Sequence, residues 1–493
     1  MNGELDLNIP LLATFVVYLI LMILVGLFAY RFTKSLADYI LGGRRLGSGT
    51  AALSAGASDM SGWLLLGLPG AVYASGMNQI WIAVGLAIGA YLNWQFIAER
   101  LRRYTEVARD SITIPAYFEN RFRDRTSALR VVSALVILLF FTFYTSAGLV
   151  AAGTLFEDTF GVDYTLALAV GASVILVYTL LGGFLAVSWT DFIQGILMFV
   201  ALILVPVITV MNLGGWSETA GAVADFEPGA LDAFHDVTLF SIISLMAWGL
   251  GYFGQPHVLT RFMAIRSPKD IPAARFIGIS WMVFALFGAI FTGFAGIAFF
   301  EGTGTLDNPE TVFLALIQAL FNPWVAGCLL AAVLAAIMST IDSQLLVSSS
   351  ALSEDFYKRF LRPRAGDREL VWVGRATVLV IGLFATLLAF DPDAAVLDLV
   401  AYAWAGFGAA FGPVIILSVF WRGTTRNGAL AGIVVGAVTV VVWDLLEGGL
   451  FDMYEILPGF ILGTLAILVF SRIGGRPGEE IEREFDRVRA RMD

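Results

Sequence analysis

Three short polar stretches interrupt an otherwise apolar chain, and their residue types suit the handling of ions and solutes better than covalent catalysis. The first, Ser54-Ala55-Gly56-Ala57-Ser58-Asp59-Met60-Ser61-Gly62-Trp63, sets a carboxylate among small residues. The second, Trp248-Gly249-Leu250-Gly251-Tyr252-Phe253-Gly254-Gln255-Pro256, carries three glycines and a proline. The third holds Ala336, Ser339, Thr340, Asp342 and Ser343. Ala336, Ser339 and Thr340 have i, i+3, i+4 spacing and share one helical face. Hydroxyls and carbonyls released from a helix are hard oxygen ligands suited to an alkali cation. Plainer readings stand beside this one. Small residues let helices pack closely, Ser and Thr hydroxyls bond back to the preceding turn, and aromatic residues in membrane helices serve as packing or belt residues.

The elements that position these stretches are apolar runs between charged interruptions. Thirteen candidate spans start near Ile9, Thr50, Gln79, Ser127, Tyr164, Ser188, Thr238, Phe276, Thr311, Val371, Ala395, Gly428 and Glu455. The expected fold is an all-α polytopic membrane protein with 13 transmembrane helices. Backbone unwinds at membrane depth only where protein or a water-filled cavity satisfies its polar groups, so the breaks in the second and seventh spans are informative. An odd separation of five spans makes them cross in opposite directions. Two five-helix blocks, 50–212 and 238–421, then read as inverted repeats with a broken first helix in each. That pattern marks a secondary transporter with its site at the midplane. An extra helix over 9–31, two more over 428–472 and a tail over 473–493 complete a single transporter domain.

Composition supports the class. Of 493 residues, 58% are hydrophobic and 14% charged, against about 45–50% and about 25% in soluble globular domains. Mean hydropathy is +0.82. One cysteine, Cys328, excludes a disulfide framework, and two histidines, His235 and His257, leave no zinc or haem constellation. A net charge of −10 lacks the basic footprint of a nucleic-acid binder. Only Lys34, Lys269 and Lys358 are lysines among 30 basic residues, which fits either a salt-rich habitat or drift toward arginine in a GC-rich genome. With the N-terminus outside, all 30 fall on the cytoplasmic side or at that end of a helix, and the outer loops carry acids such as Glu157, Asp225, Glu227, Asp307 and Asp393. The positive-inside rule therefore predicts N outside and C inside. The first span follows Glu4 and Asp6 with no small-residue cleavage site nearby, so an anchor is expected and not a signal peptide.

The segments 52–63 (ALSAGASDMSGW), 182–191 (GGFLAVSWTD), 248–257 (WGLGYFGQPH), 334–346 (LAAIMSTIDSQLL) and 401–413 (AYAWAGFGAAFGP) resemble the sodium:solute symporter family, most closely its bacterial sodium/proline members. The resemblance implies a five-plus-five inverted core with one helix before it and two after. By motif position it implies a sodium site of the Ala57, Met60 and Ala336 carbonyls with the Ser339 and Thr340 hydroxyls, and Asp59 as nearby charge. For L-proline it implies Ser61, Trp63, Tyr144, Trp248, Tyr252 and Pro256. A zwitterionic imino acid needs freed amides or a helix N-terminus for its carboxylate and aromatic faces for its ring and nitrogen. Arg44 matches a family arginine and is expected at an inner gate or as a positive-inside anchor.

The partners so implied are the sodium ion, L-proline and membrane lipid in the cytoplasmic membrane, with no nucleic acid and no evident protein partner. Another small solute (a carboxylate, sugar or vitamin) is the alternative. An enzyme is not expected, since the buried ionisable residues read from the sequence are only Asp59, Asp191 and Asp342, with no His, Cys or Lys near them. A channel fits broken half-helices poorly, and no sensor domain is expected in the short tail. Asp342 departs from sodium/proline relatives, which carry a small hydroxyl residue there. Asp191, Ser339, Asp342 and Ser343 are a possible second cation station on the exit path. The alternative is that Asp342 faces cytoplasmic water or a cytoplasmic arginine.

Overall fold

The computed structural model describes residues 8–33, 35–181, 183–226, 228–300, 306–391 and 394–492. Glu4, Asp6, Lys34, Glu227 and Asp393 lie outside the described residues. Among the described residues the chain is helical throughout, with one isolated parallel bridge between Leu46 and Ile265.

Helix α1 (Ile9–Tyr30) is followed by short α2 (Leu36–Leu41) and by α3 (Ser48–Asp59), α4 (Leu68–Ser75), α5 (Ile80–Leu92), α6 (Ala98–Val107) and α7 (Ile114–Arg121). Then come α8 (Ala128–Phe160), α9 (Tyr164–Leu181), α10 (Phe184–Asn212), α11 (Trp216–Phe226), α12 (Leu239–Met246) and α13 (Pro256–Ala264). The remainder is α14 (Ile271–Phe300), α15 (Val312–Leu320), α16 (Pro323–Ser350), α17 (Asp367–Leu388), α18 (Val396–Phe420), α19 (Arg426–Asp444), α20 (Ile456–Ile473) and α21 (Glu479–Arg489).

By length and composition, ten helical stretches among the described residues are able to cross a membrane, and three apolar helices, Tyr164–Leu180, Leu239–Phe253 and Pro309–Leu320, are shorter. The protein is a multi-pass membrane protein. Large apolar side chains on α17, including Leu379, Val380, Leu383, Phe384 and Leu387, point outward, as lipid-facing surface requires. The most hydrophobic window of α16, in contrast, is 83% buried, so the helix carrying Ser339 and Thr340 sits in the centre.

Two expected boundaries move. The span expected from Thr311 divides: α15 ends at Phe321 in extended backbone, and Asn322 caps a new helix through Trp324 N and Val325 N with Pro323 at its first position. Proline fits there because the first-turn N–H has no helical partner. The spans expected from Thr50 and Gln79 meet in one 45-residue helical stretch, Trp63–Val107, bent at Gly76, whose φ of 79° favours glycine.

Both interrupted stretches are broken as expected. In the first, α3 stops at Asp59, Met60 takes φ −84° and ψ 79°, and a π-helical turn resumes at Trp63. In the second, α12 passes into a 3-10 helix over Ala247–Phe253, and Pro256 opens α13 after extended Gln255. Close packing also holds in the second: a Cβ on Gly89 would lie 2.1 Å from Gly249 O, and one on Gly251 1.8 Å from Trp404 Nε1. Unwinding and close packing thus coexist in one segment.

Candidate functional site

The first break frees carbonyls that α16 meets. Ala57 O accepts hydrogen bonds from Ser339 Oγ at 2.8 Å and Thr340 Oγ1 at 3.4 Å, while Ser339 Oγ also lies 3.1 Å from Ala336 O. All four residues are buried. Met60 is buried in the same break, its N–H donating to Gly56 O at 2.9 Å. Four of the five expected sodium ligands therefore converge, and the fifth lies three residues along. No group of three or more His, Cys, Asp or Glu side chains able to hold a metal occurs among the described residues. A cluster of neutral carbonyls and hydroxyls suits a weakly charged hard cation over a transition metal.

Two residues beyond Ala57 the backbone turns toward the second break. Asp59 Oδ2 accepts the Tyr252 hydroxyl at 2.5 Å, and Asp59 O accepts the Trp63 indole N–H and the Tyr144 hydroxyl, each at 3.3 Å. Asp59 Oδ1 is buried with no hydrogen-bond partner among the described residues. The Trp63 and Trp248 rings lie 6.1 Å apart, and Trp404 sits edge-on to Tyr252 at 5.1 Å. Ser61 Oγ accepts Trp63 N at 3.4 Å. Asp59 is thus bonded to the expected solute residues rather than to the Ser339 cluster, and joins Ser61, Trp63, Tyr144, Trp248 and Tyr252 in one aromatic wall. Pro256 follows at the N-terminus of α13, four residues beyond Tyr252.

The four residues of the possible second cation station make their hydrogen bonds in three separate groups. Ser339 belongs to the Ala57 cluster. Asp342 pairs with the Thr179 hydroxyl, leaving Oδ2 without a partner; it borders a cavity of about 10 Å³ with Tyr178, Ala186 and Val187. Being fully buried, it does not face water. Asp191 and Ser343 meet through Arg261, whose Nη2 is 3.1 Å from Asp191 Oδ2 and 2.5 Å from Ser343 Oγ. This corrects the expectation that buried ionisable groups are limited to three aspartates. Arg261 and His257 are fully buried too, and the His257 ring lies 6.2 Å from that of Tyr144.

Arg44 binds Asp110 Oδ1 through Nε and Nη2 at 3.1 and 3.0 Å, and Nη1 donates to Met263 O at 2.7 Å. It ties the approach to α3 to the ends of α6 and α13. Burial, then the neighbouring Arg102, pulls its pKa below the ordinary guanidinium value, while Asp110 opposes the shift.

Comparison with known proteins places this geometry. The model of the sodium:solute symporter family matches residues 39–436. The chain belongs to that family. It is 54% identical over 489 residues to a protein of Salmonella typhimurium named sodium/proline symporter, covering 98% of this chain and 97% of the relative. It is 52% identical over 467 residues to the high-affinity proline transporter PutP of Bacillus subtilis, covering 94% and 98%. A solved substrate-bound, outward-open Na+-coupled sialic acid symporter superimposes with a TM-score of 0.81 at 20% identity, covering 96% of this chain and all of that one, 100%. That likeness shows the fold. The chain is a transporter and not an enzyme.

For this symporter-family member, sequence reading missed several residues that complete the aromatic wall. Trp404 donates from Nε1 to Trp248 O at 2.7 Å and accepts Gln255 Nε2 at its own carbonyl at 3.2 Å. Asn93 Nδ2 holds Tyr252 O at 2.9 Å, and the Tyr454 ring lies 5.3 Å from Trp248. Trp404 stands inside a segment singled out for resemblance and was recoverable there. Asn93 lies in an apolar run and Tyr454 in the acidic loop before α20, neither with a local signal.

Proposed function

We propose that the chain takes up L-proline across the cytoplasmic membrane together with sodium, by alternating access. The observation that carries the proposal is the single broken segment 57–63. Its first carbonyl sits on the α16 hydroxyls, and two residues later its carboxylate sits on Tyr252. An ion drawn to Ala57, Met60, Ala336, Ser339 and Thr340 would order the backbone that presents Asp59, Ser61 and Trp63 to the solute. Tyr144, Trp248, Tyr252 and Pro256 would form the rest of the pocket. The orphaned Asp59 Oδ1 is a natural acceptor for the solute's cationic nitrogen.

The architecture behind this reading is thirteen spans, N-terminus outside and C-terminus cytoplasmic. Dividing Trp63–Val107 at Gly76 and treating α12 with α13 as one broken span yields that count. The blocks from α3 and from α12 then run as two inverted five-helix repeats, in keeping with discontinuous helices in matching positions. Arg44, tied to both α6 and α13, is the inner gate of that scheme.

One sodium ion moving down about 100 mV releases about 2.3 kcal/mol, and a tenfold gradient adds about 1.4 kcal/mol. Together they support accumulation on the order of several hundredfold. The test is uptake of labelled proline into proteoliposomes with and without a sodium gradient, against a panel of competing carboxylates, sugars and vitamins. Sodium-driven uptake displaced by proline alone is expected. Uptake indifferent to sodium rejects the coupling, and displacement by another solute moves the assignment to that solute.

A further inference from the structure

The interface between α3 and α16 carries two clusters of the same kind, one helical turn apart. The first is Ala57 against Ser339 and Thr340. Three residues earlier on α3 stands Ser54, and three to four residues later on α16 stands Ser343, a displacement of about 5 Å along each helix. Between these two hydroxyls lies the guanidinium of Arg261 on α13, with the carboxylate of Asp191 from α10. Arg261 Nε donates to Ser54 Oγ at 3.1 Å, Nη1 to His257 O at 3.1 Å, and Nη2 to Asp191 Oδ2 at 3.1 Å and Ser343 Oγ at 2.5 Å. Ser54 Oγ spends its one hydrogen on Asp191 Oδ2 at 2.6 Å, so its lone pair is free for the arginine.

Every acceptor around this cation is oxygen: one carboxylate, two hydroxyls and one carbonyl. That is a shell a hard cation would take, and Arg261, Asp191, Ser54 and Ser343 are all fully buried. A buried carboxylate persists only with a compensating charge, and removing its partner leaves it uncompensated. Asp342, next to Ser343 in sequence, adds a second carboxylate to the same region.

We propose that Arg261 is a tethered cation filling a second cation site built from Asp191, Ser54 and Ser343, and that it holds coupling to one sodium per solute. The proposal rests on the sodium-coupled reading above. In a chain without the guanidinium, the Asp191 carboxylate and the flanking hydroxyls take a sodium ion instead.

The experiment measures charge moved per labelled proline, and the Hill slope for sodium, in proteoliposomes of the full-length chain. The wild type and Arg261→Lys are expected to give one charge per proline and a slope of one. In Arg261→Gln both values rise toward two, and adding Asp191→Asn returns them to one. If Arg261→Gln does not transport, equilibrium binding of radioactive sodium to the purified variant counts two ions per chain where the wild type binds one. A wild-type ratio of two, a gain of sodium slope in Arg261→Lys, or a transporting Arg261→Gln still at one overturns the tethered cation. Proline uptake that ignores sodium in the wild type instead rejects the underlying sodium-coupled reading.

Discussion

Asp59 and Asp191 are both fully enclosed carboxylates on broken or bundle-core helices, yet their surroundings differ in one respect. Asp191 has a guanidinium at 3.1 Å. Asp59 has a tyrosine hydroxyl on one oxygen and nothing on the other among the described residues. A buried charge is costly unless paired. A carboxylate whose cation is covalently part of the chain therefore acts as a fixed brace, whereas one without a resident cation is a station for a mobile one. Under the proposed function the same residue type does opposite work because of one neighbour contributed by α13.

Neutralising the two carboxylates should consequently have unequal effects. Asp59→Asn is expected to raise the proline concentration for half-maximal uptake by about a hundredfold to a few thousandfold, since the lost partner of a buried charge is worth about 3–5 kcal/mol, while the sodium requirement at saturating proline moves less. Unchanged proline affinity in this variant would detach Asp59 from the solute's nitrogen and erase the contrast.

The solute side of Asp59 gives the next largest effect. Trp248→Ala and Tyr252→Ala each remove ring surface worth about 1–3 kcal/mol, so the proline requirement should rise roughly five- to hundredfold and solute choice should broaden. Wild-type proline affinity and selectivity in both variants would leave Asp59 without a solute pocket.

Ser339→Ala and Thr340→Ala remove single hydroxyls, each worth about 0.5–1.5 kcal/mol. A two- to tenfold higher sodium requirement is expected in each, with the proline dependence measured at high sodium unchanged. A shift confined to the proline curve would move the ion away from α16.

A third buried carboxylate, Asp124 in the loop before α8, extends the comparison to a loop. Burial works to raise its pKa, but hydrogen bonds from the Thr126 side chain and from the Leu129 and Thr126 amides, with Arg426 beside it, together hold it below the ordinary carboxylate value. A depressed folded pKa stabilises the protein above the unfolded value of about 3.9, and that stability is lost as pH falls through the lower folded value. Asp124→Asn should therefore lower the melting temperature slightly at neutral pH, and the gap to wild type should close under strong acid. A gap independent of pH would mean that Asp124 acts through packing alone.

Much of the fold was legible because lipid imposes a local rule: each span needs a run of apolar residues, and each break needs glycine, proline or small polar residues within it. Hence α1, α8, α10 and α14 start within about five residues of their expected positions, and Met60–Ser61 and Gly254–Gln255 interrupt their helices inside the stretches read as breaks. The division at Phe321 escaped notice because Asn322-Pro323 is a helix start that leaves the run of hydropathy intact. The α16 hydroxyls were legible as a face, since three residues at i, i+3, i+4 meet whatever packs there.

What the sequence alone determined is the class, the breaks and the kinds of ligand atom that each break exposes. Those follow from composition and from spacing within one helix. Only the tertiary structure decided which atoms share a site. Arg261 reads as one more basic residue near a helix end, and nothing within α13 says that it crosses to Asp191, Ser54 and Ser343 on three other helices. Likewise Asp59 looks like an ion ligand beside Ala57, but the turn at Met60 aims its carboxylate at Tyr252, 193 positions away in the chain. Helical periodicity sets the direction of a side chain relative to its own axis; the packing of several axes sets what it finds there.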